Sequence, residues 1–344
     1  MVNLLMSKNK PIARIDDEKI EFIAFDLCPT LIKKGNFRGW VESRAVDTHR
    51  TNSRLLKRIQ RLSGENDYNV VMKYNAATIT DNFWVKEEGS ELTFDEVMFK
   101  NNRFDNVALN GDINGFSIKP ERTPELTNTG SYEKCWRREN GYWWMYKRQS
   151  MEESYSEIMT EKVGVYLGFD MAHYERAECG VKTLDFTDNA RFNFESAFES
   201  VGDNDDYAYN YEFMKEYHLE KDYLKMIYLD SICMSVDRHT RNFGFLKDSD
   251  NGKFIKLAPN YDNNISLISR GDVSLKAGEN FADFFIEFIN NNRLNDTFRD
   301  LKIHMFDKDE LIKLSVDTGY EVNHEKIAEF IIHMQEYINK SIKK

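Results

Sequence analysis

SVDRHTRNFGF (residues 235–245) decides how the rest of the chain is read. Before it runs KDYLKMIYLDSICMSV, whose apolar residues recur at helical spacing and whose helix is expected to end near Val236. After it come NFGFLK, DSDNGK and FIKLAP, two strand-like runs about an Asn-Gly pair at Asn251 and Gly252, the pattern of a β-hairpin. A hairpin returns the chain to its own open end. Asn242, entering the first strand, and the segment Pro259-Asn260-Tyr261-Asp262, leaving the second, should therefore meet, with Asp237 in the loop beside them. Three oxygen-bearing side chains, Asp237, Asn242 and Asp262, are thus expected to converge.

Carboxylate and amide oxygens suit a hard cation such as Mg²⁺, which keeps several waters and takes one or two protein carboxylates plus substrate phosphates. An Asp close to such an ion is placed to accept a proton from a hydroxyl nucleophile. Phosphoryl transfer asks for this set together with a lysine on the nucleotide phosphates. Alone, a D-R-H-T-R-N string is more often a solvated turn. The weight comes from the hairpin behind it and from what lies upstream.

Upstream, SYEKCWR, an Asn-Gly turn at Asn140 and Gly141, and YWWMYKR read as a second hairpin. In its second strand Trp143, Met145 and Lys147 share a face, because side chains alternate with period two. The loop before it, TNTGSYEK (residues 127–134), has one glycine, Gly130, between the hydroxyls of Thr129 and Ser131, and can aim backbone N–H groups at phosphates. MEESYSEIMTEKVGVYLGF then predicts a helix with Tyr155, Ile158, Met159, Val163, Tyr166 and Leu167 on its apolar stripe and Gly168 as its stop. Glu153, Glu157 and Glu161 lie at i, i+4 on a face that would ordinarily be solvated. Stacked like charges cost a few tenths of a kcal/mol each, roughly, so an ion pair from one of them to Lys147 would be natural.

The first hundred residues say less about function. IEFIAFDL and NVVMKYNA look like strands, SELTFDEVMFKN like a short capped helix, and RTNSRLLKRIQR (residues 50–61) like an amphipathic helix with a basic face. The second half is rich in helix patterns. The outline is α+β and two-lobed, a β-rich N-lobe and a helical C-lobe. Residues 1–113 form an α/β segment of unassigned role packed on the N-lobe, 114–190 the N-lobe and 191–344 the C-lobe.

Of 344 residues, 41% are hydrophobic and 31% charged, ordinary for a folded protein, and the net charge of −11 argues against direct binding of nucleic acid. Cys28, Cys135, Cys179 and Cys233 lie far apart without zinc spacing, so reduced thiols are expected. No apolar run is long enough to cross a membrane and no leader is evident at the N-terminus, which points to the cytoplasm.

SVDRHTRNFGFL followed by KLAPNYDNN resembles the C-terminal kinase region of the HipA family, bacterial serine/threonine kinases with a fold related to eukaryotic protein kinases. The resemblance runs from about Asn114 to the C-terminus. It implies a protein-kinase-like fold, ATP and Mg²⁺ as cofactors, a protein substrate with a Ser or Thr acceptor, and an antitoxin-type partner. It also implies that Asp237 is the catalytic Asp, that Asn242 and Asp262 hold Mg²⁺, and that Lys147 meets ATP and pairs with Glu157, or failing that Glu153. TNTGSYEK takes the place of the family's phosphate loop, with Gly130, Glu133 and Lys134 in register and Thr129, Gly130 and Ser131 at the ATP. The autophosphorylated serine of the family then falls on Thr127, with Thr129 and Ser131 as neighbours. His239 belongs to the nucleotide site and is expected to brace the loop rather than act as a base. Arg238 and Arg241 are expected to steady phosphates or to form surface ion pairs. D-R-H-x-x-N also occurs in phosphoinositide kinases, but the D-F-G of those enzymes is replaced here by Tyr261-Asp262-Asn263. A lipid or small-molecule kinase, or a non-catalytic pseudokinase module, is the alternative.

Overall fold

The computed structural model describes residues 2–342. The chain divides into two compact units: Met1–Arg148, Ala177–Glu195 and Phe245–Ile255 make the first, and Gln149–Arg176, Ser196–Gly244 and Lys256–Lys344 the second.

In the first unit β1 (Val2–Ser7), β2 (Lys10–Asp16) and β3 (Lys19–Phe22) form a meander, and β4 (Phe83–Glu87) pairs with β1 to give an antiparallel sheet of order β3-β2-β1-β4. Successive residues of β1 and β4 alternate between two buried faces, because side chains along a strand point to opposite sides. Leu5, Phe83 and Val85 join one apolar cluster with Trp40 and Val71, while Met6 and Trp84 join another with Leu56, Phe104, Trp136 and Trp143. Six short helices cover this sheet: α1 (Thr30–Lys33), α2 (Phe37–Glu42), α3 (Ser53–Ile59), α4 (Asp67–Lys73), α5 (Phe94–Val97) and α6 (Asp105–Asn110). The basic stretch forms α3, as its spacing predicts, and α5 carries the capping box of Thr93 and Glu96.

Two strand expectations fail here. NVVMKYNA lies largely in α4, capped by the Asn66 side chain, which accepts from the Asn69 N–H; Val70 and Tyr74, four residues apart, face one cluster and Val71 the other. Burial on two sides makes β-branched residues acceptable in a helix and overrides their strand preference. IEFIAFDL stays extended only to Phe22. The N–H groups of Ile23 and Ala24 both donate to the Ile12 carbonyl, which ends the ladder, and residues Phe25–Leu27 form a 3₁₀ turn.

β5 (Lys134–Glu139) and β6 (Tyr142–Arg148) are the expected hairpin, with Asn140 and Gly141 at φ 51° and 88° as a type I′ turn requires. The chain returns through β7 (Tyr174–Ala177) to β8 (Gly180–Leu184), which lies antiparallel to β6. β9 (Phe192–Ser196), β10 (Gly244–Asp248) and β11 (Phe254–Leu257) form a sheet of order β11-β10-β9. The β10–β11 hairpin therefore exists, turning at Gly252, whose φ of 73° and close approach to the Asp26 carbonyl leave no room for a Cβ.

The second unit is helical: α7 (Met151–Tyr166), α8 (Ala197–Val201), α9 (Tyr207–Glu216), α10 (Glu220–Cys233), α11 (Leu275–Asn291), α12 (Asn295–Arg299), α13 (Lys308–Val316) and α14 (His324–Ser341). α10 is its central rod, buried from Met226 to Cys233. Tyr228 packs against Phe285 of α11 and Phe298 of α12, and its hydroxyl accepts from Gln335 of α14 at 3.1 Å. Each such buried side chain contributes roughly 1.5–3 kcal/mol. Tyr155, Ile158, Met159 and Val163 of α7 are buried as expected, whereas Tyr166 is exposed. Glu157 and Glu161 are buried rather than solvated, correcting the reading of that face. Among the described residues no helix is long and apolar enough to cross a membrane. All four cysteines are free, and three are buried.

Candidate active site

α10 ends at Cys233, and Met234 turns out of it with φ 51°. The loop that follows is built around Arg238, whose side chain is 5% exposed. Its Nε and Nη2 grip both oxygens of Asp230, on the last turn of α10, at 2.9 Å. Its Nη1 donates to the carbonyls of Asn242 (2.5 Å) and Tyr261 (2.9 Å), and its Nη2 also reaches Oδ1 of Asn260 (2.8 Å) and of Asn263 (2.6 Å). One guanidinium thus ties the limb carrying Asn242 to the limb carrying Asp262. Burial lowers the pKa of Arg238, and the Asp230 carboxylate more than offsets this, so the guanidinium stays above its ordinary value. The expectation of a phosphate contact or surface ion pair at Arg238 is corrected: it is an internal brace. Arg241 is exposed and lies over the Phe198 ring, 3.4 Å from its centroid.

The two limbs meet as hairpin geometry requires. Ala258 N–H donates to the Gly244 carbonyl at 2.8 Å, and the Tyr261 hydroxyl donates to the Arg241 carbonyl at 3.0 Å. Farther along, Val236 N–H reaches the Ile265 carbonyl at 3.1 Å. Asn242 Nδ2 donates to the Asp237 carbonyl at 2.9 Å, which commits the amide nitrogen to the loop and leaves Oδ1 as the atom able to take a cation. Asp262 sits at φ 62°, a left-handed conformation uncommon outside Gly, Asn and Asp, and its N–H donates to the Tyr174 hydroxyl. Such backbone is held in place only where its surroundings over-determine it. Asp237 is exposed to solvent. His239 Nδ1 accepts from the Arg241 N–H at 3.2 Å, and its carbonyl accepts from the Asn242 N–H at 2.8 Å. Those are loop-bracing bonds.

Among the described residues no three His, Cys, Asp or Glu side chains cluster as a metal cage. The donors offered by Asn242 and Asp262 are one amide and one carboxylate, which fits Mg²⁺ carried on a nucleotide and does not fit zinc.

On α7, Glu153 Oε2 accepts from the Ser150 N–H in a capping box. Glu157 is fully buried, and its Oε2 accepts from Gln149 Nε2 at 2.7 Å.

The remaining candidates lie in the first unit. Lys147, on β6 opposite Lys134, is buried on the face it shares with Trp143. Thr129, Gly130 and Ser131 are exposed, with Gly130 at φ 95°. Thr127 is buried in the 3₁₀ turn Pro124–Thr127, and its hydroxyl donates to the Pro124 carbonyl at 3.3 Å. Glu133 Oε1 accepts from the Asn52 N–H. Beneath the loop lies Glu125, fully buried, bonded by Trp136 N–H and Asn102 Nδ2 at 2.7 Å and by Asn128 Nδ2 at 3.2 Å. Burial pushes its carboxyl up to about 7 against those bonds and the charge of Arg50.

The sequence reading missed Glu125, Arg50, Asp230 and the bracing role of Arg238. One signal was available: Asp230 is a lone carboxylate within KMIYLDSICM, and a charge in an otherwise apolar helix needs a buried partner.

HipA of the Shewanella oneidensis MR-1 toxin–antitoxin system, solved in complex with HipB and its operator DNA, superposes with a TM-score of 0.61 over 99% of this chain and 99% of that one, at 10% identity. The chain has the fold of HipA. The Helicobacter pylori proinflammatory kinase CtkA aligns with a TM-score of 0.48 over 61% of this chain and 92% of that one, at 17% identity. No protein-family model and no curated protein matches the sequence. The mixed α+β architecture expected from the strand and helix patterns, and the HipA-like fold implied by SVDRHTRNFGFL and KLAPNYDNN, are therefore both found.

Proposed function

We propose that the chain is an ATP- and Mg²⁺-dependent serine/threonine protein kinase of HipA-like type. The observation that carries this reading is the Arg238 brace, which fixes Asn242 and Asp262 on adjoining limbs while Asp237 stays open to solvent. A loop bound this tightly around an exposed carboxylate does more than a solvated turn requires.

In this reading the acceptor hydroxyl is oriented by Asp237. A bond forms between its oxygen and the γ-phosphorus as the bond to the β-phosphate oxygen breaks; the hydroxyl proton passes to Asp237 and ADP departs. Asn242 and Asp262 hold Mg²⁺, which neutralises charge on the nucleotide phosphates when bound. Lys147, Glu157, His239 and the loop Thr129-Gly130-Ser131 belong to the nucleotide site. Catalysis is then mainly positioning and electrostatics. The three-part division at 113/114 and 190/191 and a cytoplasmic address belong to the same proposal.

HipA was solved with HipB and operator DNA, which supports an antitoxin-type protein partner for this chain. The same complex removes support for excluding nucleic acid on the strength of net charge, and that exclusion is withdrawn.

Incubation with Mg-ATP, followed by intact mass and phosphosite mapping, tests the reading with wild type beside Asp237→Ala. A phosphate added to the wild type at Thr127, Thr129, Ser131 or a co-incubated protein, and absent from the variant, is expected. A phosphate added equally to both chains refutes the assignment of Asp237. Transfer to lipid and not to protein moves the substrate class.

A further inference from the structure

Residues 46–52 come from the N-terminal segment, for which the sequence offered no role, and they run along the loop at residues 126–134. Val46 N–H donates to the Leu126 carbonyl at 3.0 Å, and Asn52 N–H to Glu133 Oε1 at 3.1 Å. Between them Arg50, 2% exposed, spends its guanidinium on backbone oxygens: Nη2 on Asn128 (2.5 Å) and Thr129 (3.0 Å), Nε on Gly130 (2.8 Å), Nη1 on Lys134 (3.4 Å).

The backbone of Arg50 is itself held. Its N–H donates to the Asp47 carbonyl at 3.2 Å, and its carbonyl accepts from the Ser53 hydroxyl at 2.8 Å. From below, Glu125 holds the Asn128 side chain.

Peptide geometry gives this arrangement a consequence. In a trans peptide the C=O of one residue and the N–H of the next point in opposite directions, and the chain has no cis bond among its described residues. With the carbonyls of 128, 129 and 130 turned inward to Arg50, the N–H groups of Thr129, Gly130 and Ser131 face away from it, on residues that are exposed. Successive N–H groups presented in this way form an anion-binding concavity.

We propose that Arg50 is the positioning residue of the nucleotide-phosphate loop, so that the N-terminal segment sets the affinity of the chain for the phosphates of ATP. The inference rests on the kinase reading above, in which this loop meets the nucleotide. Lysine cannot substitute: it is a point charge with three donors and lacks the planar fork that spans several carbonyls.

The test is calorimetric titration of wild type, Arg50→Met and Arg50→Lys with Mg-ATP, Mg-ADP and adenosine. Expected is at least a tenfold weakening of ATP and ADP in both variants with adenosine changed less than twofold, since the loop acts on phosphates alone. ATP and ADP affinities within twofold of wild type overturn the proposal while leaving the kinase reading standing. An equal loss for adenosine also overturns it, because the effect is then not specific to the loop. A wild type that binds neither ATP nor ADP overturns the kinase reading, and the inference with it. If the variants fail to fold, hydrogen exchange on the wild type decides. Mg-ADP is expected to protect the amides of residues 129–131, and unchanged exchange there refutes the role.

Discussion

Arg238→Met removes the donor that joins the two limbs of the candidate site. The change takes away the two bonds to Asp230 and those to the Asn242 and Tyr261 carbonyls and the Asn260 and Asn263 side chains. Asp230 is 0% exposed and is left as an unpaired buried carboxylate. Breaking a buried pair from one side costs about 3–5 kcal/mol, and each carbonyl left without a donor costs about 1–3 kcal/mol more unless water reaches it. The terms overlap, so about 4–5 kcal/mol is a fair expectation, a large part of the roughly 5–15 kcal/mol that holds a domain folded.

The assay can assign the loss to the correct unit. Trp40, Trp84, Trp136, Trp143 and Trp144 are all in the first unit, while the long helices are in the second. In urea, with a slope of about 2–3 kcal/mol/M, the helix-detected transition should move down by about 1.5–2 M, and more than the tryptophan-detected one. Asp230→Asn combined with Arg238→Met should recover part of the loss, because the stranded charge is gone. A shift below about 0.4 M for Arg238→Met, equivalent to a surface substitution of about 1 kcal/mol or less, would show that the brace is not structural. So would a double variant less stable than Arg238→Met by the full cost of a second, independent mutation.

Asp237→Asn should lower kcat for phosphoryl transfer by about 10²–10⁴, yet shift stability by no more than about 0.5 kcal/mol because the side chain is exposed; parallel loss of both points to a structural role. Glu125 has a folded pKa of about 7 against an ordinary 4.5, so the stability it contributes is fully present below pH 4.5 and is lost as pH rises through 7. The span is roughly 3 kcal/mol. Glu125→Gln should remove that slope from a plot of stability against pH, and an unchanged slope would assign it to another group. Gly252→Ala forces a Cβ into the left-handed region against the Asp26 carbonyl and should cost about 2–4 kcal/mol, read in the tryptophan-detected transition. A cost near zero would mean that the turn can move away from Asp26.

What the sequence disclosed was local. The hairpins at Asn140-Gly141 and around Gly252, the helices α7 and α10, and the meeting of the Asn242 and Asp262 limbs each follow from turn chemistry and period within about twenty residues. What it hid was long-range. Arg50 lies 78 to 84 positions from the carbonyls it holds, and its place in a basic run made it read as part of a solvated face. Glu157 and Glu161 were misread for the same reason: a carboxylate stripe says nothing about which element will cover it. NVVMKYNA failed differently, because burial on both sides of α4 removed the amphipathic period that separates helix from strand.

Arg50 and Arg238 solve one physical problem twice. A functional loop must present groups to a ligand, yet its own carbonyls have to be satisfied inside the protein, where an unmade hydrogen bond costs about 1–3 kcal/mol. Helix or strand pairing would satisfy them but would also use the N–H groups and fix the side chains along a regular surface. A buried guanidinium offers five donors in a rigid plane and cannot lose its charge. Set beneath a loop, it collects carbonyls from several directions: four for Arg50, two carbonyls and two amide oxygens besides Asp230 for Arg238. The difference between them is the counter-charge. Arg238 has Asp230 at 2.9 Å and keeps its pKa above the ordinary value, whereas burial leaves that of Arg50 below it. Arg50 is therefore the less well compensated of the two, and an anion brought to the exposed side of its loop would offset part of that burial cost. On this argument nucleotide should stabilise the first unit more in wild type than in Arg50→Met.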